Sequence, residues 1–187
     1  MKKIFTSVNK SRLGKDAEKF VILIIFLAMA LIIHTYIVRL AVISGESMYP
    51  TFLDRDIIVI NQINYTPSRG DVVLIDVSEK PIRGEYIVKR IIAVGGDTVT
   101  LDYENNTVFV NDAKIREPYL NFNQEDPMIA YGTTKTITYQ VPVGTVFVMG
   151  DNRNNSLDSR NSMLGMVTTS DIVGNVCQSI SISRYFF

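Results

Sequence analysis

Tyr86-Ile87-Val88-Lys89-Arg90-Ile91-Ile92-Ala93-Val94 is the stretch on which the fold of this chain turns. Its β-branched residues suit a pleated strand better than a helix. Period-two alternation places Ile87, Lys89, Ile91 and Ala93 on one face, which is apolar except for a single amine. Two readings of Lys89 follow. It is an edge lysine whose stem snorkels to water, or a buried amine that burial pushes towards neutrality. From about 10.4, reaching neutrality near pH 8 takes about 2 pH units, or about 3 kcal/mol.

The same pattern extends on both sides. Residues 57–60, 72–75, 99–101, 108–110, 136–141 and 146–149 are short β-branched or aromatic runs. Turn signals part them: Pro67-Ser68-Arg69-Gly70, Gly95-Gly96-Asp97, Glu104-Asn105-Asn106, Asn111-Asp112 and Pro142-Val143-Gly144. Strands at this spacing predict a mainly β domain of coiled antiparallel, barrel-like sheets. Residues 99–114 read as a hairpin around Asn105-Asn106, and a trace of helix is expected near 168–172. Residues 117–134 are mixed and polar and read as a long loop or insert. Cys177, the only cysteine, excludes an intrachain disulfide and reads as a small buried hydrophobe in a strand.

Ahead of the domain, residues 20–38 read FVILIIFLAMALIIHTYIV without a formal charge. As a helix they would rise roughly 28 Å, close to a bilayer's hydrocarbon core. The run is longer than the apolar region of a cleaved secretory signal. Lys2, Lys3, Lys10, Arg12, Lys15 and Lys19 precede it against only Asp16 and Glu18, while the chain as a whole is neutral. That asymmetry predicts a cytoplasmic basic tail (1–19), a transmembrane anchor (20–40) and an extracytoplasmic domain (41–187) in the cell membrane. Nucleic acid is not an expected partner, because the basic residues cluster at the anchor without interleaved aromatics.

Directly after the anchor comes Ser44-Gly45-Glu46-Ser47-Met48-Tyr49-Pro50-Thr51. It reads as a linker turn, or as a serine nucleophile beside free backbone N–H groups. A serine needs a base. His34 is the only histidine and lies in the anchor, so the domain has none for a triad, and no histidine–cysteine zinc set either. Paired carboxylates fall mostly in turns, where solvation explains them. Lys80, Lys114 and Lys135 also sit in polar or turn settings, whereas Lys89 does not. A third cluster, Gly150-Asp151-Asn152-Arg153-Asn154-Asn155-Ser156-Leu157-Asp158-Ser159-Arg160, is a dense polar loop behind an apolar strand.

Together these stretches resemble type I signal peptidases, the membrane-anchored Ser/Lys endopeptidases that remove signal peptides from exported proteins. Ser47-Met48-Tyr49-Pro50-Thr51 resembles the nucleophile box, and Arg69-Gly70-Asp71-Val72-Val73 the box after it. Lys89-Arg90 followed by Gly96-Asp97 resembles the general-base box. Gly150-Asp151-Asn152 with Ser156, Asp158, Ser159 and Arg160 resembles the last one. The compact length and single span are similar to the Gram-positive form. The resemblance implies Ser47 as nucleophile, Lys89 as general base and Ser156 orienting the Lys89 amine. Asp158 with Arg160, and Asp151 with Arg90, are implied as supporting pairs. It implies shallow pockets for small residues, as at Ala-x-Ala sites, lined by Val42, Ile43, Gly45, Met48, Ile87 and Val88. The implied partners are exported preproteins and the lipid bilayer, with no metal or cofactor. One departure is Gly45: some members carry a hydroxyl there that completes the oxyanion hole, which leaves a backbone N–H or Ser44 for that role. Two other classes compete, a self-cleaving repressor-type relative of the same fold and a non-catalytic β-domain that binds exported chains. The membrane span argues against the first, and the joint presence of Ser47, Lys89 and Ser156 against the second.

Overall fold

The alternating stretch forms β4 (Tyr86–Val94) in the middle of a seven-stranded sheet. The structure, a computed structural model, describes residues 10–120, 127–129 and 135–181. Helix α1 (Lys10–Tyr36) leads into β1 (Val38–Val42), β2 (Ile57–Asn61) and β3 (Val72–Asp76). After β4 come β5 (Thr98–Asp102), β6 (Thr107–Val110), β7 (Ala113–Lys114) and β8 (Thr136–Gln140). The last strands are β9 (Thr145–Met149), β10 (Val167–Thr168) and β11 (Ile172–Ile180), with a 3₁₀ turn at Thr169–Asp171. The large sheet runs β1-β2-β11-β3-β4-β9-β10 and the small one β7-β6-β5-β8, all pairs antiparallel. This is the mainly β, antiparallel architecture that the strand pattern predicts.

Three apolar clusters hold the sheets together. Val99, Leu101, Val108, Phe147 and Met149 pack where the two sheets meet. Val73, Ile75, Ile91, Val146 and Val148 pack together on β3, β4 and β9 of the large sheet. Ile43, Met48, Phe52, Ile58, Ile60 and Leu74 form a floor under the Ser47 loop. A buried aliphatic or aromatic side chain contributes about 1.5–3 kcal/mol, so the floor ties the loop's position to the stability of β2 and β3.

Several expectations are corrected. The helix begins at Lys10, inside the predicted basic tail, and ends at Tyr36. Residues 38–40, assigned to the anchor, belong to β1, because Val38 to Val42 pair residue for residue with Asn61 to Ile57. Among the described residues no helix is long and apolar enough to cross a membrane; side chains of α1 are described over 16–31 only, and that of His34 lies outside them. Cys177 is exposed rather than buried. The pairing of β11 with β2 shifts between Val176 and Gln178, and a bulged residue loses its place in the inside–outside alternation. A similar shift between Ile91 and Ala93 breaks the alternation of β4, so Ile91, Ile92 and Ala93 are all buried. The 117–134 stretch is described at 117–120 and 127–129, where Met128 joins the core.

Candidate active site

The loop between β1 and β2 carries Ser47. Its base is pinched by two backbone bonds, Ile43 N–H to Asp56 O (2.8 Å) and Arg55 N–H to Ile43 O (2.9 Å). The Asp54 carboxylate accepts the Gly45 N–H at 2.8 Å, with Gly45 at φ +90°, a conformation that favours glycine. Inside the loop, Tyr49 N–H bonds Glu46 O and Phe52 N–H bonds Met48 O, each at 3.0 Å. Met48, 1% exposed, plugs the loop into its floor. Ser47 therefore sits on a short, tightly closed turn.

Lys89 enters from β4, opposite Val73 of β3. It is 3% exposed, and its Nζ lies 2.7 Å from Ser47 Oγ and 2.9 Å from the Val88 carbonyl oxygen. Burial pulls its pKa from an ordinary 10.5 down to about 8, against the opposing pull of the Asp158 and Asp151 carboxylates. Desolvation wins because the valines and isoleucines around it solvate no charge. At 2.7 Å the proton can lie on either atom, so a neutral amine is placed to accept it from the hydroxyl.

The polar loop after β9 locks these parts. Arg90, next to Lys89, clasps Asp151 in a fork: Nε to Oδ1 at 2.8 Å and Nη2 to Oδ2 at 2.6 Å. Its Nη1 donates to Gly70 O at 2.7 Å, inside the Arg69-Gly70-Asp71 segment. Thr51 Oγ1 donates to Asp151 and Asn152 N–H to Ser47 O (3.0 Å), so the loop grips the Ser47 turn at two points. Asp158, fully buried, accepts Arg160 Nε at 2.8 Å, Arg160 Nη2 at 2.9 Å and the Gly150 N–H at 3.0 Å. Bidentate pairs of this kind fix geometry more than they add stability. Gly150 is there for space, since a Cβ on it would lie 2.3 Å from Ser156 Oγ and 2.5 Å from Ser47 O.

Ser156 departs from its implied role. Lys89 donates to Ser47 and Val88, whereas the buried Ser156 Oγ makes no hydrogen bond with any described residue. It is wedged against Gly150, and the Val88 carbonyl takes the place expected for it.

A groove of about 380 Å³ opens beside Ser47 and Lys89. Of the expected lining, Val42, Ile43, Met48, Ile87 and Val88 are there, and Gly45 is not. Ser44, Leu74, Arg83 and Tyr86 line it as well. The Gly45 amide is occupied by Asp54, which removes it as an oxyanion donor, while Ser44 stands on the groove wall. Sequence reasoning missed a further brace. Arg153, 8% exposed, pairs with Glu117 and donates to Gly150 O at 3.2 Å. Tyr119 donates to Glu117 at 2.9 Å and lies 3.9 Å beneath the Arg90 guanidinium. Its only signal in the sequence is an aromatic and an acid in an otherwise irregular stretch. No group of acidic, histidine or cysteine side chains among the described residues is arranged to hold a metal ion.

The family model for signal peptidase, peptidase S26, matches residues 17–180. A signal peptidase I of Bacillus amyloliquefaciens is 39% identical over 158 residues, covering 81% of this chain and 78% of its own. Signal peptidase I P of Bacillus subtilis subsp. natto is 37% identical over 158 residues, 81% of each chain. A solved signal peptidase I structure from Enterococcus faecalis is 28% identical, covers 60% of this chain and 97% of that one, and superposes with a TM-score of 0.48.

Proposed function

This chain belongs to the signal peptidase family, peptidase S26, and from that premise we propose that it is a membrane-bound serine endopeptidase that removes signal peptides from exported preproteins. The observation that carries the mechanism is the 2.7 Å contact between Ser47 Oγ and a lysine that burial holds near neutrality. Neutral Lys89 takes the Ser47 proton as Oγ attacks the carbonyl carbon of the cut bond. The oxyanion lies against the Ser47 N–H, with Ser44 the nearest candidate for a second donor. The ammonium of Lys89 then protonates the leaving amine. A water, deprotonated by the same amine, hydrolyses the ester and releases Ser47. The Val88 carbonyl keeps the lysine aimed through both halves of the cycle.

The substrate lies extended between β1 and the start of β4, a groove bounded by Val42, Ile43, Ile87 and Val88. Aliphatic walls favour small side chains by sterics, which supports cutting at Ala-x-Ala sites. Apolar side chains of α1 support anchoring in the bilayer: Phe20 is 63% exposed, Leu27 62% and Leu31 66%, so they do not pack on the sheets. An exposed apolar surface of this extent calls for cover, and lipid supplies it, with the basic N-terminus on the cytoplasmic side.

The test is cleavage of a preprotein with an Ala-x-Ala site by detergent-solubilised protein, wild type beside Lys89→Ala, with the new N-terminus identified. Cutting after the second alanine by wild type alone is expected. Equal cutting by both proteins would sink the lysine base, and no cutting by folded wild type would sink the peptidase reading.

A further inference from the structure

The end of the groove away from Ser47 carries a positive charge that the mechanism does not use. Among the described residues, Lys89 and Arg83 are the charged side chains that line the groove. Arg69, Arg90, Arg153 and Arg160 are each locked to a carboxylate. Arg83 is exposed and makes no hydrogen bond or ion pair with any described residue. It stands in the turn between β3 and β4, just ahead of Tyr86. There Arg39 of β1 lies 4.2 Å above the Tyr86 ring and bridges the two walls with a second cation. None of the nearby acids pairs with Arg83 among the described residues. Asp76, which accepts the Ser78 N–H at 2.9 Å, interacts with Arg39 and offsets part of that second charge but makes no ion pair with Arg83, and Glu85 does not line the groove.

Resting on the signal-peptidase reading above, we propose that Arg83 is a specificity-determining residue that favours an acidic and disfavours a basic side chain four to six residues before the cut bond. The distance follows from strand geometry. From Tyr86, where β4 begins, to Lys89 the extended backbone spans roughly 10 Å, about three residues at about 3.3 Å each, and Arg83 lies beyond that start in the turn. A substrate strand alongside it advances at the same rate, and the reach of the arginine side chain brings the contact inward by a residue or two. An exposed pair of this kind is worth about a two- to five-fold change in rate. Its long stem leaves the guanidinium free to follow the substrate, so the effect falls on KM rather than kcat.

The test uses three Ala-x-Ala substrates that differ only at the fifth residue before the cut: Glu, Gln or Lys. Wild type should show a two- to five-fold higher kcat/KM for Glu than for Gln, and a similar drop for Lys. Arg83→Glu should reverse the order, while Arg83→Lys keeps the wild-type order. The preference should fade in 1 M salt, where the screening length is about 3 Å. The same Glu-to-Lys ratio in wild type and Arg83→Glu would overturn the proposal, with the peptidase reading left standing. Failure of folded wild type to cut even the Gln substrate would overturn both.

Discussion

Raising the pH across the titration of Lys89 is the sharpest perturbation that the site offers. The amine falls from 10.5 to about 8 because it is buried on β4. That shift corresponds to about 3 kcal/mol in favour of the neutral form. With a pKa near 8, about one enzyme in ten holds a neutral lysine at pH 7, about half do at pH 8 and about nine in ten at pH 9. An unshifted lysine would be neutral in only about three molecules per ten thousand at pH 7. Preprotein cleavage measured at limiting substrate should therefore rise about ten-fold per pH unit below pH 7, bend near 8 and level off by about 9. Lys89→Arg is the matched control: it keeps charge and length but cannot release its proton. It should lose activity at every pH while staying folded by circular dichroism. An inflection near 10, a flat profile with chemistry rate-limiting, or a working arginine variant would refute a desolvated lysine base.

The same burial has a cost in stability, and its sign is fixed by the direction of the shift. The folded lysine releases its proton near 8 and the unfolded one near 10.5, so between those values the unfolded chain binds more protons and stability rises with pH. Lys89→Met should thus gain up to about 3 kcal/mol on wild type at pH 7, less its lost hydrogen bonds, and lose that advantage by about pH 11 in urea titrations. Asp158→Ala strands Arg160, whose side chain is 1% exposed, and should cost about 3–5 kcal/mol in the same titration; adding Arg160→Met should recover part of it. Gly150→Ala places a methyl 2.5 Å from the Ser47 carbonyl. A shift of the nucleophile by even about 1 Å should lower kcat about 100-fold, with a smaller stability loss of about 1–3 kcal/mol.

What the sequence reveals and what it hides divides along physical lines. The strands from β2 to β6, β8 and β9 are legible because β-branched residues alternate or run between turn residues, a signal confined to a few neighbours in the chain. β1 is not, since Val38-Arg39-Leu40-Ala41-Val42 continues the apolar run of α1 and is marked as a strand only by its register with β2. Cys177 and Ile92 sit at bulges, which shift the alternation without any residue that announces them. The brace of Glu117, Tyr119 and Arg153 spans 36 positions from Glu117 to Arg153 and begins in a segment without period. The Lys89–Ser47 contact spans 42 positions, yet the sequence marks both residues as candidates and the resemblance to type I signal peptidases implies their roles. The difference is that Lys89 stands out against its neighbours: a lysine within isoleucines and valines must be buried, snorkelled or functional. A chain whose only histidine lies in the apolar run at 20–38, ahead of the strands, also leaves few other bases. Composition thus narrows the candidates without a fold, and the resemblance supplies the roles. Composition cannot say which acceptor a donor faces. The oxyanion hole is such a case. The Asp54 carboxylate occupies the Gly45 N–H, and Ser44 lines the groove. Ser44→Ala should therefore lower kcat at unchanged KM if its hydroxyl is the second donor, whereas an unchanged kcat would assign the role to the Ser47 N–H alone.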